Sequence, residues 1–190
     1  VKQAYKYFQL FDLDTIYSKL QNRFEFTLKS TGFVKEPRLE IWDYSKQDIK
    51  DEIPELYYQF ADLGLDINRG AVFATMPHTT TPIHVDYENN NIRSHEAINL
   101  PIFNHTNTTM EWFDLIDNTG QLIDMNVMNQ SMYNVTVFEE NQCQLTDTCC
   151  IDQPTLINVI KPHRVINNND ANRVVISIRY KHGNFTKFWH

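Results

Sequence analysis

"AVFATMPHTTTPIHVD", residues 71 to 86, decides how the rest of the chain is read. Upstream of it apolar residues recur at helical spacing, whereas from Gly70 onward they fall in short runs of β-branched and aromatic residues. The stretch contains one such run, Ala71–Met76, and opens a second, Ile83–Tyr87, across a loop of Pro and Thr. Six more follow: Ala97–Phe103, Met110–Ile116, Tyr133–Phe138, Thr155–Ile160, His163–Ile166 and Arg173–Lys181. Segments rich in Asn, Thr, Gly and Pro separate them. Short strands at this density predict an antiparallel sandwich or barrel, and a jelly roll of two four-stranded sheets accommodates them.

The N-terminal third reads differently. Ile49, Ile53, Leu56, Tyr57 and Phe60 predict a helix over Asp48–Leu63, ended by Gly64, with Pro54 drawing its true start toward Ile53. A second helix is expected from about Asp14 or Thr15, carrying Ile16, Leu20 and Phe24. Both are amphipathic packing helices set to buttress one face of the barrel. The expected organisation is one domain over residues 1–190, mainly β with N-terminal helices. Within it, 1–69 form the buttress and 70–181 the jelly-roll, cupin-like core.

Composition bounds the function. Apolar residues make up 42% and charged residues 22%, the balance of a folded globular chain. The net charge of −7 argues against a broad nucleic-acid surface or an acidic membrane as partner. Apolar runs fall short of the ~18 residues of a membrane span, and aspartates interrupt the N-terminal stretch, so a soluble, cytoplasmic protein is expected. Cys143, Cys149 and Cys150 are odd in number and include an adjacent pair, which suits reduced thiols better than a disulfide framework or a thiolate metal site. The sequons at Asn104, Asn134 and Asn184 are then accidents of an asparagine-rich composition. Nothing in the sequence speaks to oligomeric state.

His84 and Asp86 stand two apart in a strand, so both side chains project to one face and Val85 to the other. Seven histidines and fourteen aspartates in 190 residues would produce about half such a pair by chance, so a third ligand is required. His163, in "KPHRVINNNDANRVVISIRY", is the candidate. Two histidines and one carboxylate leave open positions on an ion, the arrangement of non-haem Fe(II) oxygenases, although zinc accepts the same ligands. Asn167-Asn168-Asn169-Asp170 is turn material between two apolar runs, which predicts a hairpin centred near Asn168 with Arg173 directly across from His163. A buried arginine there needs an anion, and a small carboxylate bound bidentately serves.

His84-x-Asp86, His163 and Arg173 together resemble the Fe(II)/2-oxoglutarate-dependent oxygenases over roughly Ala71 to Tyr180. "AINLPIFN" and "HRVINNNDANRVVISI" look most like the aspartyl/asparaginyl and prolyl hydroxylases. The resemblance implies a double-stranded β-helix in which His84, Asp86 and His163 bind Fe(II). It also implies 2-oxoglutarate anchored by Arg173, O2 as cosubstrate, and hydroxylation of a C–H bond with release of succinate and carbon dioxide. The expected substrate is small or peptidyl.

Around these residues the reading stays open at several positions. Arg93 and His95 lie where the aspartyl hydroxylases bind oxoglutarate or substrate, but Asn99 competes for the histidine's place, and Arg93 reads equally well as a solvated loop charge. Thr75 and Ser177 are candidates to touch the cosubstrate, and Trp112 is a core or pocket-wall aromatic. Arg179 shares the face of Arg173 and completes an R-x₅-R pattern found in nucleic-acid demethylases; the acidic balance does not favour that branch. His78 reads as a loop residue. Two alternatives remain: a zinc or other-metal cupin-type enzyme with the same ligands, and a non-catalytic jelly-roll binding module.

Overall fold

Pro54 sets the first departure from expectation. In the computed structural model, which describes residues 4–30, 40–86, 96–116, 119–126 and 132–181, the expected long helix is two. They are α2 (Lys46–Glu52) and α3 (Pro54–Asp62). Proline lacks the N–H that an interior position must donate and its ring displaces the preceding turn, so it opens α3 at the first helical position. Ser45 caps α2, its hydroxyl accepting from the Asp48 N–H while the Asp48 side chain reaches back. The remaining helix, α1, spans Leu13–Ser30.

The strands run in chain order as β1 (Tyr5–Tyr7), β2 (Glu40–Ser45), β3 (Asp66–Thr75), β4 (Thr79–Thr80), β5 (Ile83–Asp86), β6 (Glu96–Phe103) and β7 (Thr108–Leu115). Then come β8 (Gln121–Asn126), β9 (Met132–Phe138), β10 (Cys143–Cys149), β11 (Thr155–Asn158), β12 (His163–Asn167) and β13 (Arg173–Lys181). They form two antiparallel sheets. The first has the order β1-β11-β6-β13-β3-β2, and the second β10-β7-β12-β5-β9-β8, with β4 also against β12. This is a double-stranded β-helix with helices on one face. Strands β1, β2 and the start of β3, from the first 69 residues, belong to the same sheet as β6 and β13.

Strand alternation sorts the side chains. On β13, Val174, Ile176 and Ile178 face the helices and pack with Ile16, Leu20, Ile49, Ile53, Leu56 and Phe60. Each fully buried aliphatic stabilises the fold by roughly 1.5–3 kcal/mol. The intervening Arg173, Val175, Ser177 and Arg179 turn to the space between the sheets. There Met110, Trp112, Ile151, Ile157 and Val159 form a second apolar cluster. Ile83 and Val85 pack with Phe113 and Phe138 on the outer side of the second sheet, as alternation with His84 and Asp86 requires.

The hairpin expected at Asn168 is not formed. β12 pairs with β7 on one edge and with β5 and β4 on the other, so no edge remains for β13, which lies in the opposite sheet between β3 and β6. His163 stands across from His84 and Trp112 rather than from Arg173, which is opposed to Thr75. The segment between is a crossover pinned by Asn167. Its fully buried amide donates to the carbonyls of Thr75, Met76 and Ala171, and its Oδ1 accepts from the Asn169 N–H. Among the described residues no helix is long and apolar enough to cross a membrane.

Candidate metal centre

His84 and Asp86 leave β5 on the inward face, and β12 brings His163 alongside, with the two imidazole centroids 4.6 Å apart. The Nδ1 of His84 lies 2.8 Å from the Pro82 carbonyl, and that of His163 lies 2.9 Å from the Lys161 carbonyl. A carbonyl can only accept, so Nδ1 carries the proton in both rings and each Nε2 presents its lone pair. His84 Nε2 is 3.5 Å from Asp86 Oδ1, and donor atoms of the three residues lie within 4.8 Å of one another. This is the span of donors around one ion. It is the one cluster of three or more His, Cys, Asp or Glu with that property among the described residues.

The protonation states suit ligation. Burial, with a smaller push from His84, lowers His163 to about 4, so the ring is neutral near pH 7. Burial alone would raise the Asp86 carboxyl, but the Arg179 guanidinium and the two imidazoles outweigh it and hold the group at about 2. Arg179 Nη2 donates to Asp86 Oδ2 at 2.6 Å.

The first sheet supplies the other wall. Arg173, 2% exposed, faces the same cavity, and its Nε has no hydrogen-bond partner. No carboxylate among the described residues pairs with it; burial lowers it to about 10, and the Cys149 and Cys150 thiols are its electrostatic neighbours. Thr75 Oγ1, Asn99 Oδ1 and Ser177 Oγ are likewise buried without partners. Thr75 stands across from Arg173 and Asn99 across from Ser177. Buried polar atoms are nearly always satisfied, so four unpaired ones on one wall mark a place shaped for a polar ligand. The cavity measures about 50 Å³, several times what one water molecule needs.

Thr75, His84, Asp86, Asn99, His163, Arg173, Ser177 and Arg179 thus converge on one cavity. Trp112 does not reach it: the ring is fully buried, stacked on Tyr5, and its Nε1–H is spent on the Asn158 carbonyl. It belongs to the core, behind Met110 and Ile157, which pack in its cluster and themselves line the cavity. Arg93 and His95 lie outside the described residues. His78 is on the surface, 2.9 Å from Asp170. Cys143 and Cys149 stand at opposite ends of β10, about 20 Å apart by strand rise, so the three thiols do not gather. Phe73, Thr81, Val165 and Val175 also line the cavity, and the sequence singled out none of them. Parity with Thr75 and Arg173 was the available signal for Phe73 and Val175.

No family model matches the sequence, and no curated protein matches it significantly. Solved structures do match. The non-heme alpha-ketoglutarate-dependent carbocyclase SnoK of nogalamycin biosynthesis is similar at a TM-score of 0.50 and 10% identity, over 95% of this chain and 80% of that one. The oxalate decarboxylase of Bacillus subtilis, with Mn(II) centres, matches at a TM-score of 0.37 and 9% identity. That match takes in 78% of this chain but 27% of the decarboxylase, so the chain spans about a quarter of that protein. At 10% identity the likeness to SnoK bears on fold alone.

Proposed function

We propose that this protein is a non-haem Fe(II)- and 2-oxoglutarate-dependent oxygenase that hydroxylates a C–H bond of an amino acid, free or within a peptide. The observation that carries the reading is Arg173. A buried guanidinium is costly unless an anion meets it, and this one shares a cavity with a two-histidine, one-carboxylate cluster. The alternative of a zinc enzyme explains the cluster and leaves the arginine without a partner.

The donor set fits the group. His84 Nε2, His163 Nε2 and an Asp86 oxygen would hold the ion, and two imidazoles with one carboxylate leave positions for ligands from solution. Fe(II) with 2-oxoglutarate and O2 would supply oxidative decarboxylation coupled to C–H hydroxylation. The chain's own part is binding and order. The carbonyls of Pro82 and Lys161 fix the tautomer and the ring planes of the histidines. Arg173 would pair with the far carboxylate, with Thr75 beside it, and Ser177 and Asn99 would meet polar atoms nearer the ion. Met110, Ile157, Val165 and Val175 limit water in the cavity.

Anaerobic titration of the protein with Fe(II) and 2-oxoglutarate tests this. A visible charge-transfer band should develop, with succinate released on admission of air. His84→Ala and His163→Ala should lose the band with the fold retained, and Arg173→Ala should weaken 2-oxoglutarate binding by roughly a hundredfold. Absence of the band in the unmodified protein overturns the proposal.

A further inference from the structure

Asp86 uses its two oxygens differently. Oδ2 receives Arg179 Nη2 at 2.6 Å, while Oδ1 turns to the histidines, 3.5 Å from His84 Nε2. Both side chains are deeply buried, at 7% and 10% exposed, and they come from opposite sheets. The pairing of β13 with β3 shifts register beside Arg179, between Arg69 and Ile67. The extra residue, Asn68, is on β3, so β13 stays regular and Arg179 faces the second sheet by the same alternation that turns Arg173, Val175 and Ser177 to the cavity.

We propose that Arg179 is a positioning residue that holds Asp86 to coordination through one oxygen and cancels its charge, leaving the ion its full double charge for anionic ligands. The inference rests on the reading of His84, Asp86 and His163 as metal ligands. Two neutral imidazoles and a carboxylate ordinarily reduce a divalent ion to a net single positive charge. Here the carboxylate is already paired, so ion, ligands and Arg179 together keep two. Arg173 adds a third on the facing wall. In a buried cavity such an excess is strongly felt. A dicarboxylate cosubstrate offsets two of these charges. The same pairing keeps the second Asp86 oxygen off the ion and a coordination position open.

The test uses the full chain loaded anaerobically with Co(II), and azide as the anion. The unmodified protein should take up one equivalent of Co(II) and bind azide with a change in the visible ligand-field spectrum. In Arg179→Met, Co(II) should still bind, azide affinity should fall about tenfold or more, and the spectrum should weaken as the freed Asp86 oxygen raises the coordination number. Arg179→Lys keeps the charge without the guanidinium fork, so azide affinity should stay within about threefold while the ligand-field bands shift. A purely structural ion pair would change thermal stability in both variants and leave the spectrum and the azide affinity alone. That result, in whichever variant folds, overturns the inference. If the unmodified protein takes up no Co(II), the metal reading fails and the inference falls with it.

Discussion

Arg173 and Asp86 are both buried charges, yet they make opposite demands on the fold. Asp86 has Arg179 at 2.6 Å, whereas no carboxylate among the described residues meets Arg173. Removing one member of a buried pair is costly, and removing a buried charge that has no partner is not. Arg173→Met should therefore leave the ligand-free protein as stable or more stable, by about 1–3 kcal/mol, while abolishing any rise in melting temperature on adding 2-oxoglutarate to the metal-loaded form. A loss of ligand-free stability would mean that Arg173 has a structural partner. His163 gives the metal-stripped protein an acid sensitivity of definite sign. Its folded value of about 4 lies below the ordinary 6.5, so between those values the unfolded chain binds a proton that the folded one does not. Stability should fall as pH drops from about 6.5 to 4, by up to about 3 kcal/mol from this group. Asp86, held at about 2 against an ordinary 3.8, extends the loss from about 4 toward 2. Stability from urea titrations, followed against pH, should lose its dependence between about 6.5 and 4 in His163→Gln, with a smaller change below about 4 because His163 also helps to hold Asp86 down.

Strands were legible where one face is buried and the other differs from it. β5, β6, β12 and β13 alternate between core-facing and cavity-facing side chains, and their runs in the sequence lie within two residues of their ends in the fold. β10 is half-exposed and reads "CQLTDTC", and the three residues of β1 are mostly exposed, so neither carries a pattern that sequence periodicity can pick out. The metal cluster was legible because β5 holds two ligands at strand spacing and one distant histidine completes them. The hairpin misreading has a different cause. Asn, Asp and the flanking apolar runs are turn chemistry, but whether a turn joins two neighbouring strands depends on which edges other strands occupy. Strands β5, β4 and β7, far off in sequence, take both edges of β12. The asparagine that looked like a turn residue is the pin of the crossover. Asn167→Ala should strand the carbonyls it serves and cost about 3 kcal/mol in chemical denaturation, far more than Asn168→Ala beside it. Equal effects would remove the distinction between pin and loop.

The two sheets divide the chemistry. All three proposed metal ligands lie on the second sheet, and the unpaired polar atoms that face the cavity lie on the first. A metal ion alone would therefore tie β5 to β12, strands already paired within one sheet. A dicarboxylate reaching from the ion to Arg173 would join the sheets across the cavity, adding to the packing, the Arg179–Asp86 pair and the Asn167 and Trp112 hydrogen bonds that already link the layers. Hydrogen exchange separates the two steps. Anaerobic Fe(II) should slow exchange mainly in β5 and β12, because a ligand protects amides whose opening disrupts its own site. Adding 2-oxoglutarate should extend protection to β13 and β3, where Arg173 and Thr75 stand across from one another. The helices behind the first sheet should respond in the second step alone, since Ile176 and Ile178 couple β13 to their packed faces. Arg173→Met should keep the first step and lose the second. If Fe(II) alone protects both sheets equally, the cosubstrate does not bridge them, and Arg173 serves some other anion.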